Sequence, residues 1–339
     1  ASRTVNGVID FDDMVWLPVV NKLRVFRSQL LLVDEAQDLN RCQHELALLA
    51  GDRLVVCGDG NQAIYGFAGA DIGSIEKLQG FLSKTGRGVR RLPLTVTYRC
   101  GKKIVAEANE RWLPEPESEE YRYRAADSAP EGAVEELKRA ELVSVLESGD
   151  MVLSRTNAPL VGLYFKLLKE RKKAYIQGRD VGDALVGLAK SLLGVKRKQK
   201  LENSGYSVTA LMDRLEVWYT KESAALEKKK RPAEEALQTL QDKRDCLNSF
   251  LERSETLQEF VDHVNAIFSD KSREGIRLSS CHKAKGLEAN RVYLIRPDLL
   301  PHPMAKTPEA KLQERNLGHV AVTRAKLCFT YVIGKDKED

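Results

Sequence analysis

Short apolar runs, each closed by a polar or turn residue, restrict this chain more than any other feature. "LLLV" spans 30–33, "RLVVCG" 53–58 and "RRLPLTV" 90–96. Runs that are apolar at successive rather than alternate positions fit parallel strands buried on both faces. Parallel neighbours need a crossover, and "RCQHELALLAG" (41–51) reads as that helix. A second series begins with a helix over about 102–112, passes through "GDMVLSRTNA" (149–158) and continues with a helix over about 160–172. It resumes with "GIRLSSCH" (275–282), "RVYLIRP" (291–297) and "KLCFTYVIG" (326–334). The expected fold class is α/β.

Between the two parts of the second series, from about 194 to 270, the material changes to long, charged, helix-favouring runs such as "ALQTLQDKRDCLNSFLERSETLQEFVDHVNAIF". This reads as a helical insertion inside a second α/β domain. The polar stretch "EPESEEYRYRAADSAPEG" (115–132) reads as a surface loop, and no repeat of fixed period is present.

With 339 residues and 42% apolar content the chain can bury cores for two or three domains. Lys and Arg exceed Asp and Glu by 54 to 49, so any contact with a polyanion must be local rather than general. Cys42, Cys57, Cys100, Cys246, Cys281 and Cys328 form no C-x-x-C pair and lie at no metal-ligand spacing, which fits a reduced, cytoplasmic setting. The opening "ASRTVNGVIDFDDMVW" has no leader pattern, and no stretch is long and apolar enough for a bilayer, so no membrane partner is expected.

"LLLVDEAQD" (30–38) places Asp34, Glu35 and Asp38 directly after a strand. Clustered carboxylates resist desolvation unless a cation or solvent satisfies them. At the C-terminal end of a parallel strand, Asp34 suits Mg²⁺ and Glu35 suits orienting and deprotonating a water. The alternative is an acidic helix cap, a role that fits Asp38 better. In "CGDGNQAIYGFAGAD" (57–71), Gln62 can donate to a phosphate oxygen and accept from water at once. Tyr65 and Phe67, set among small residues, offer rings on which a base can stack, unless the segment is a hairpin-like loop with a structural Phe.

These stretches carry a resemblance. "VDEAQDLN" (33–40) and "GDGNQAIYGFAGA" (58–70) resemble motifs II and III of superfamily 1 DNA helicases of the UvrD/Rep/PcrA type. In the same order, "LTVTYRC" (94–100) resembles motif IV, "LSSCHKAKGLE" (278–288) motif V and "GHVAVTRAK" (318–326) motif VI. "GVIDFDDM" (7–14) resembles the segment that precedes motif II. The resemblance implies two RecA-like halves: residues 1–92 as part of the first, and 93–194 with 272–339 as the second, interrupted by a helical 2B-like insertion over 195–271.

It also implies ATP and Mg²⁺ as cofactors, ATP sitting between the halves, and single-stranded and duplex DNA as partners, with 3′→5′ movement. Tyr98 would stack on adenine, Arg99 would reach the γ-phosphate and Arg324 would supply a second guanidinium. Gly286 would let backbone approach the nucleotide and Glu288 would accept from a ribose hydroxyl. Ser280 and His282 would touch the DNA strand together with Tyr65 and Phe67.

Three departures stand out. Phe67 occupies a position where the family usually carries Trp, and Thr97 and Cys100 flank the Tyr98–Arg99 pair in place of the usual motif IV residues. No G-x-x-x-x-G-K-[ST] occurs in the 339 residues, although a triphosphate needs such a backbone cradle. The expectation is a chain that follows the P-loop, motif Ia and the 1B region, with that N-terminal portion supplied in cis or in trans, and that does not hydrolyse ATP alone. Alternatives are a translocase subunit of a repair or anti-phage nuclease complex, or a P-loop-less module that binds DNA or a partner. The insertion's "KRKQK" (196–200) and "KKKR" (228–231) either neutralise phosphates or line solvated helix faces.

Overall fold

The computed structural model describes residues 9–66, 70, 73–84, 86, 88–114, 121–177, 179–196, 198–227, 234–268 and 274–334. The chain divides into two compact units, Ala1–Leu94 and Thr95–Asp339.

The first unit runs α1 (Phe11–Val20), β1 (Ser28–Val33), α2 (Arg41–Ala50), β2 (Gly51–Val56) and α3 (Ser74–Lys84). β1 and β2 pair in parallel, Leu30 opposite Arg53 and Leu32 opposite Val55, with α2 as the crossover. The cap of α2 is Asn40, which exchanges hydrogen bonds with Gln43, and not Asp38. Asp38 instead closes a short 3₁₀ turn over Ala36–Asp38. The alternation of the strands sends Leu31, Val33, Leu54 and Val56 to one face and Leu30, Leu32 and Val55 to the other. That second row is exposed, 70% for Leu32. Burial on both faces, expected from the apolar runs, therefore does not hold among the described residues here. Of the expected strand over 90–96 only its end forms, as the paired Val96–Thr97, and Pro93 ahead of it has no N–H to give a ladder.

The second unit begins with β3 (Val96–Thr97), α4 (Lys102–Glu107), β4 (Arg124–Ala125), β5 (Ala133–Lys138), α5 (Leu142–Val145), β6 (Met151–Ser154), α6 (Ala158–Lys169) and β7 (Ala174–Ile176). It continues with α7 (Arg179–Leu193), α8 (Val208–Glu227), α9 (Glu234–Leu251), α10 (Leu257–Ile267), β8 (Ile276–Ser280), β9 (Ala289–Ile295), α11 (Pro308–Val322) and β10 (Ala325–Ile333). Six strands form one parallel sheet in the order β5-β10-β9-β6-β8-β7. Every residue of β6, which sits inside the sheet, is buried, as its unbroken apolar run requires.

The helices between β7 and β8 are not an appendage. Leu211 and Leu215 of α8, Leu247 and Phe250 of α9, and Phe260 and Val264 of α10 share one apolar cluster with Val152 of β6 and Leu278 of β8. Phe250 meets Phe165 of α6 edge-on at 5.8 Å and Phe260 at 6.2 Å. Full burial of each such side chain contributes about 1.5–3 kcal/mol. A helical layer fastened through several of them is part of the sheet's own core.

Candidate functional site

In the first unit the chain leaves β1 at Val33 and places Asp34 and Glu35, both exposed, at the strand's C-terminal end. Glu35 adopts a left-handed conformation (φ 49°, ψ 39°), a costly one for a residue with a side chain. The Asp34 carboxylate accepts the Glu35 N–H at 2.8 Å and helps to hold that turn. Buried Gln37 then joins two separate stretches. Its Nε2 donates to Glu35 Oε2 and its Oε1 accepts the Asp59 N–H at 2.9 Å.

This junction explains Gly58: a Cβ there would lie 2.6 Å from Gln37 Oε1 and 3.1 Å from the Ala36 nitrogen. Asp59 in turn accepts from the Asn61 N–H at 2.9 Å and from Gln62 Nε2 at 2.8 Å, so the Gln62 amide is oriented by a carboxylate. Beneath them Ser74 donates to the Ala36 carbonyl at 2.5 Å and meets His44 Nε2 at 2.6 Å. The hydroxyl has one hydrogen, so Nε2 of His44 is the donor of that pair.

Tyr65 is half-buried, and its hydroxyl is pushed up first by burial and then by the charges of Asp38 and Glu35. Its ring thus stands near the acidic turn. Phe67 lies outside the described residues. Among the described residues no group of three or more His, Cys, Asp and Glu gathers as a metal cage. Asp34 nevertheless fits Mg²⁺, which keeps most of its waters and takes only one or two protein carboxylates beside substrate phosphates.

In the second unit the expected residues separate onto the two edges of the parallel sheet. Ser280 closes β8 at the strand-end edge with His282 just beyond, whereas Glu288 precedes β9 at the strand-start edge. The residues in between turn tightly, Ala284 donating to the Ser280 carbonyl at 3.0 Å and Leu287 to Ala284 at 2.9 Å. Gly286 takes φ +82°, and nothing lies within 4 Å of where its Cβ would be, so its backbone stays approachable.

At the strand-start edge Arg99 Nε donates to Glu288 Oε2 at 3.0 Å, and Lys326 Nζ donates to Glu288 Oε1. Lys326 first, and Arg99 after it, hold the Glu288 carboxyl below its usual range. Tyr98 is 84% exposed. Arg324, by contrast, is 1% exposed. Its Nε donates to the Val320 carbonyl at 2.9 Å, Nη1 to Leu287 at 3.2 Å and Nη2 to Thr323 Oγ1 at 3.1 Å. The guanidinium read from the sequence as a projecting donor is thus folded into its own unit.

At the strand-end edge His282 is partly buried, and burial, with the Arg155 charge adding to it, pushes the imidazole down to about 3. Arg155 grips Glu314 of α11 in a fork, Nε at 2.9 and 3.0 Å and Nη2 at 2.7 Å, and Nη2 also donates to Gln238 of α9 at 2.8 Å. Glu314 further accepts the His302 N–H at 3.0 Å. Asp242 of α9 accepts from the Asn157 N–H and Nδ2, both at 2.8 Å, and from the Ala158 N–H at 3.2 Å, which caps α6. Sequence reasoning missed Arg155, Gln238, Asp242, Glu314 and Lys326. The only signals were positional: Arg155 directly follows a strand, and Lys326 stands two residues beyond Arg324.

The family model described as UvrD/REP helicase N-terminal domain matches residues 2–82, and that described as UvrD-like helicase C-terminal domain matches residues 94–333. DNA helicase II of Escherichia coli K12 is 34% identical over 114 residues, 30% of this chain and 15% of that protein. The ATP-dependent DNA helicase PcrA of Staphylococcus aureus Mu50 is 34% identical over 116 residues, 31% of this chain and again 15% of the relative. The matched stretch thus spans about a seventh of the length of these curated relatives.

Proposed function

The chain belongs to the UvrD/REP helicase family, and on that premise we propose that it forms part of an ATP-dependent motor that moves 3′→5′ along single-stranded DNA and separates duplex. The observation that carries this reading is the Gln37 junction. One buried amide ties the exposed acidic pair at the end of β1 to the Asp59–Gln62 pair after β2, as a group sensing hydrolysis requires.

In this reading Asp34 holds Mg²⁺, and Glu35 orients and deprotonates the attacking water. Gln62 contacts the γ-phosphate, and Arg99 offsets charge that builds on it, an effect worth about 10³–10⁵ in rate for one well-placed arginine. Arg324 joins it by exchanging its carbonyl partners for phosphate oxygens. Tyr98 stacks on adenine and Glu288 accepts from ribose beside the Gly286 backbone. Mg²⁺, when bound, would neutralise the β- and γ-oxygens. DNA runs along Ser280 and His282, with Tyr65 and Phe67 as stacking positions. The neutral state of His282 suits a hydrogen bond to a base or sugar rather than an ion pair with phosphate.

The phosphate cradle is supplied by polypeptide outside the 339 residues, in cis or in trans. The absence of G-x-x-x-x-G-K-[ST] from the sequence and the exposed Leu30, Leu32 and Val55 row on a two-stranded parallel sheet support that. A P-loop-bearing partner could belong to a repair or nuclease assembly. The missing P-loop also favours a second reading, a module that binds DNA or a partner and turns nothing over.

The test is DNA-stimulated ATP hydrolysis by the complete enzyme. Glu35→Gln is expected to keep ATP binding and to lose hydrolysis by at least a hundredfold. Near-normal turnover would refute the base assignment, and no hydrolysis even with the P-loop region restored would favour the binding module.

A further inference from the structure

Glu288 stands between two cations that come from different elements. Arg99 reaches it from the loop ahead of α4 and Lys326 from β10. Their backbones are fixed relative to one another. Gly101 donates to the Lys326 carbonyl at 2.9 Å, and Ala289 donates to the Arg324 carbonyl at 3.0 Å. The three side chains are therefore placed by the sheet edge rather than met by chance on a mobile surface. Two cations held on a single carboxylate are a preformed receptor for another anion, because the carboxylate offsets their mutual repulsion until something more highly charged replaces it.

Lys326 is also the more accessible second cation at this edge. Its side chain is 39% exposed, whereas Arg324 is 1% exposed with its guanidinium on the Val320 and Leu287 carbonyls.

We propose that Lys326 is a further polyphosphate-contacting residue and that Glu288 is a built-in counter-ion, which holds Arg99 and Lys326 together until the polyphosphate of a nucleoside triphosphate displaces it. This rests on the nucleotide reading of the strand-start edge. On displacement the carboxylate is released from both cations and becomes free to accept from a hydroxyl, so phosphate capture precedes ribose recognition.

The probe is inorganic tripolyphosphate, which has no ribose, titrated calorimetrically into the 339-residue chain at low ionic strength. Glu288→Gln removes the competing charge and is expected to tighten binding about fivefold, and Lys326→Met to weaken it about fivefold, the size of one exposed charge pair. Glu288→Gln combined with Lys326→Met loses the gain, and raising salt shrinks every difference. Glu288→Asp, which shortens the carboxylate arm, falls between wild type and Glu288→Gln and guards against a variant-specific fold defect.

If Glu288→Gln binds tripolyphosphate no more tightly than wild type, or Lys326→Met binds it equally well, the counter-ion role is overturned. If no variant binds it at all, the proposal also falls. The nucleotide reading is then judged separately, by the Glu35→Gln hydrolysis assay on the complete enzyme.

Discussion

Arg155→Met tests the node that joins three elements of the second unit. The Arg155 and Glu314 side chains are 13% and 7% exposed, and the guanidinium bonds both Glu314 oxygens and Gln238. Methionine roughly keeps the aliphatic volume but leaves the buried Glu314 carboxyl without its guanidinium, with the His302 N–H still donating to it. Removing one partner of a buried pair costs about 3–5 kcal/mol, because the other charge remains desolvated. In a domain of this size each kcal/mol lowers Tm by about 2–4 °C, so the expected loss is about 6–20 °C.

Urea denaturation followed by circular dichroism measures the free-energy loss, and a thermal melt the fall in Tm. Arg155→Met with Glu314→Leu removes both charges and is expected to recover at least half of the loss. A single variant within 1 kcal/mol of wild type, or a double variant no more stable than the single, would refute the argument. The same substitution removes the charge that helps to depress His282. Its NMR titration should move up from about 3, but only part of the way, since burial is the larger cause.

Two further outcomes follow from the geometry. Gly58→Ala forces a Cβ against Gln37 Oε1, so it is expected to destabilise the first unit by about 2 kcal/mol and to slow hydrolysis in the complete enzyme; unchanged stability would mean that the Gln37 junction yields easily. His282 has a folded pKa of about 3, below its unfolded value of about 6.5, so the unfolded chain binds the extra proton first. Its contribution is complete above about pH 6.5 and declines toward pH 3 by roughly 1 kcal/mol per pH unit, and His282→Asn should flatten that part of the stability profile.

The strands with unbroken apolar runs were legible: "LLLV", "RLVV" and "RVYLI" each lie in a strand. β5 was not, because "AVEELK" lies at the sheet edge and carries exposed Glu135, Glu136 and Lys138 among only partly buried apolar residues, so it reads as a polar connector. Helices α8, α9 and α10 were legible as helices from their composition, whereas α7 was not read as one. Their shared core with the sheet was not, because Phe250 and Phe260 reveal their partners only once the chain is folded.

The site shows the same division. Asp34, Glu35 and Gln62 announce themselves through local pattern, whereas the Arg155–Glu314 fork joins residues 159 apart and leaves no local trace. Arg324 was recognisable by its surroundings in sequence, but its inward conformation depends on carbonyls that no motif records.

The stretch from Ser280 to Glu288 runs from one rim of the sheet to the other as a short, hydrogen-bonded coil with little slack. A segment so built is drawn short by its own hydrogen bonds, so a displacement of the side holding His282 is expected to shift the side holding Glu288. The number of residues in this crossing thus sets how the two rims are spaced along the chain, and lengthening it by a single residue is expected to loosen that link while leaving every named side chain in place.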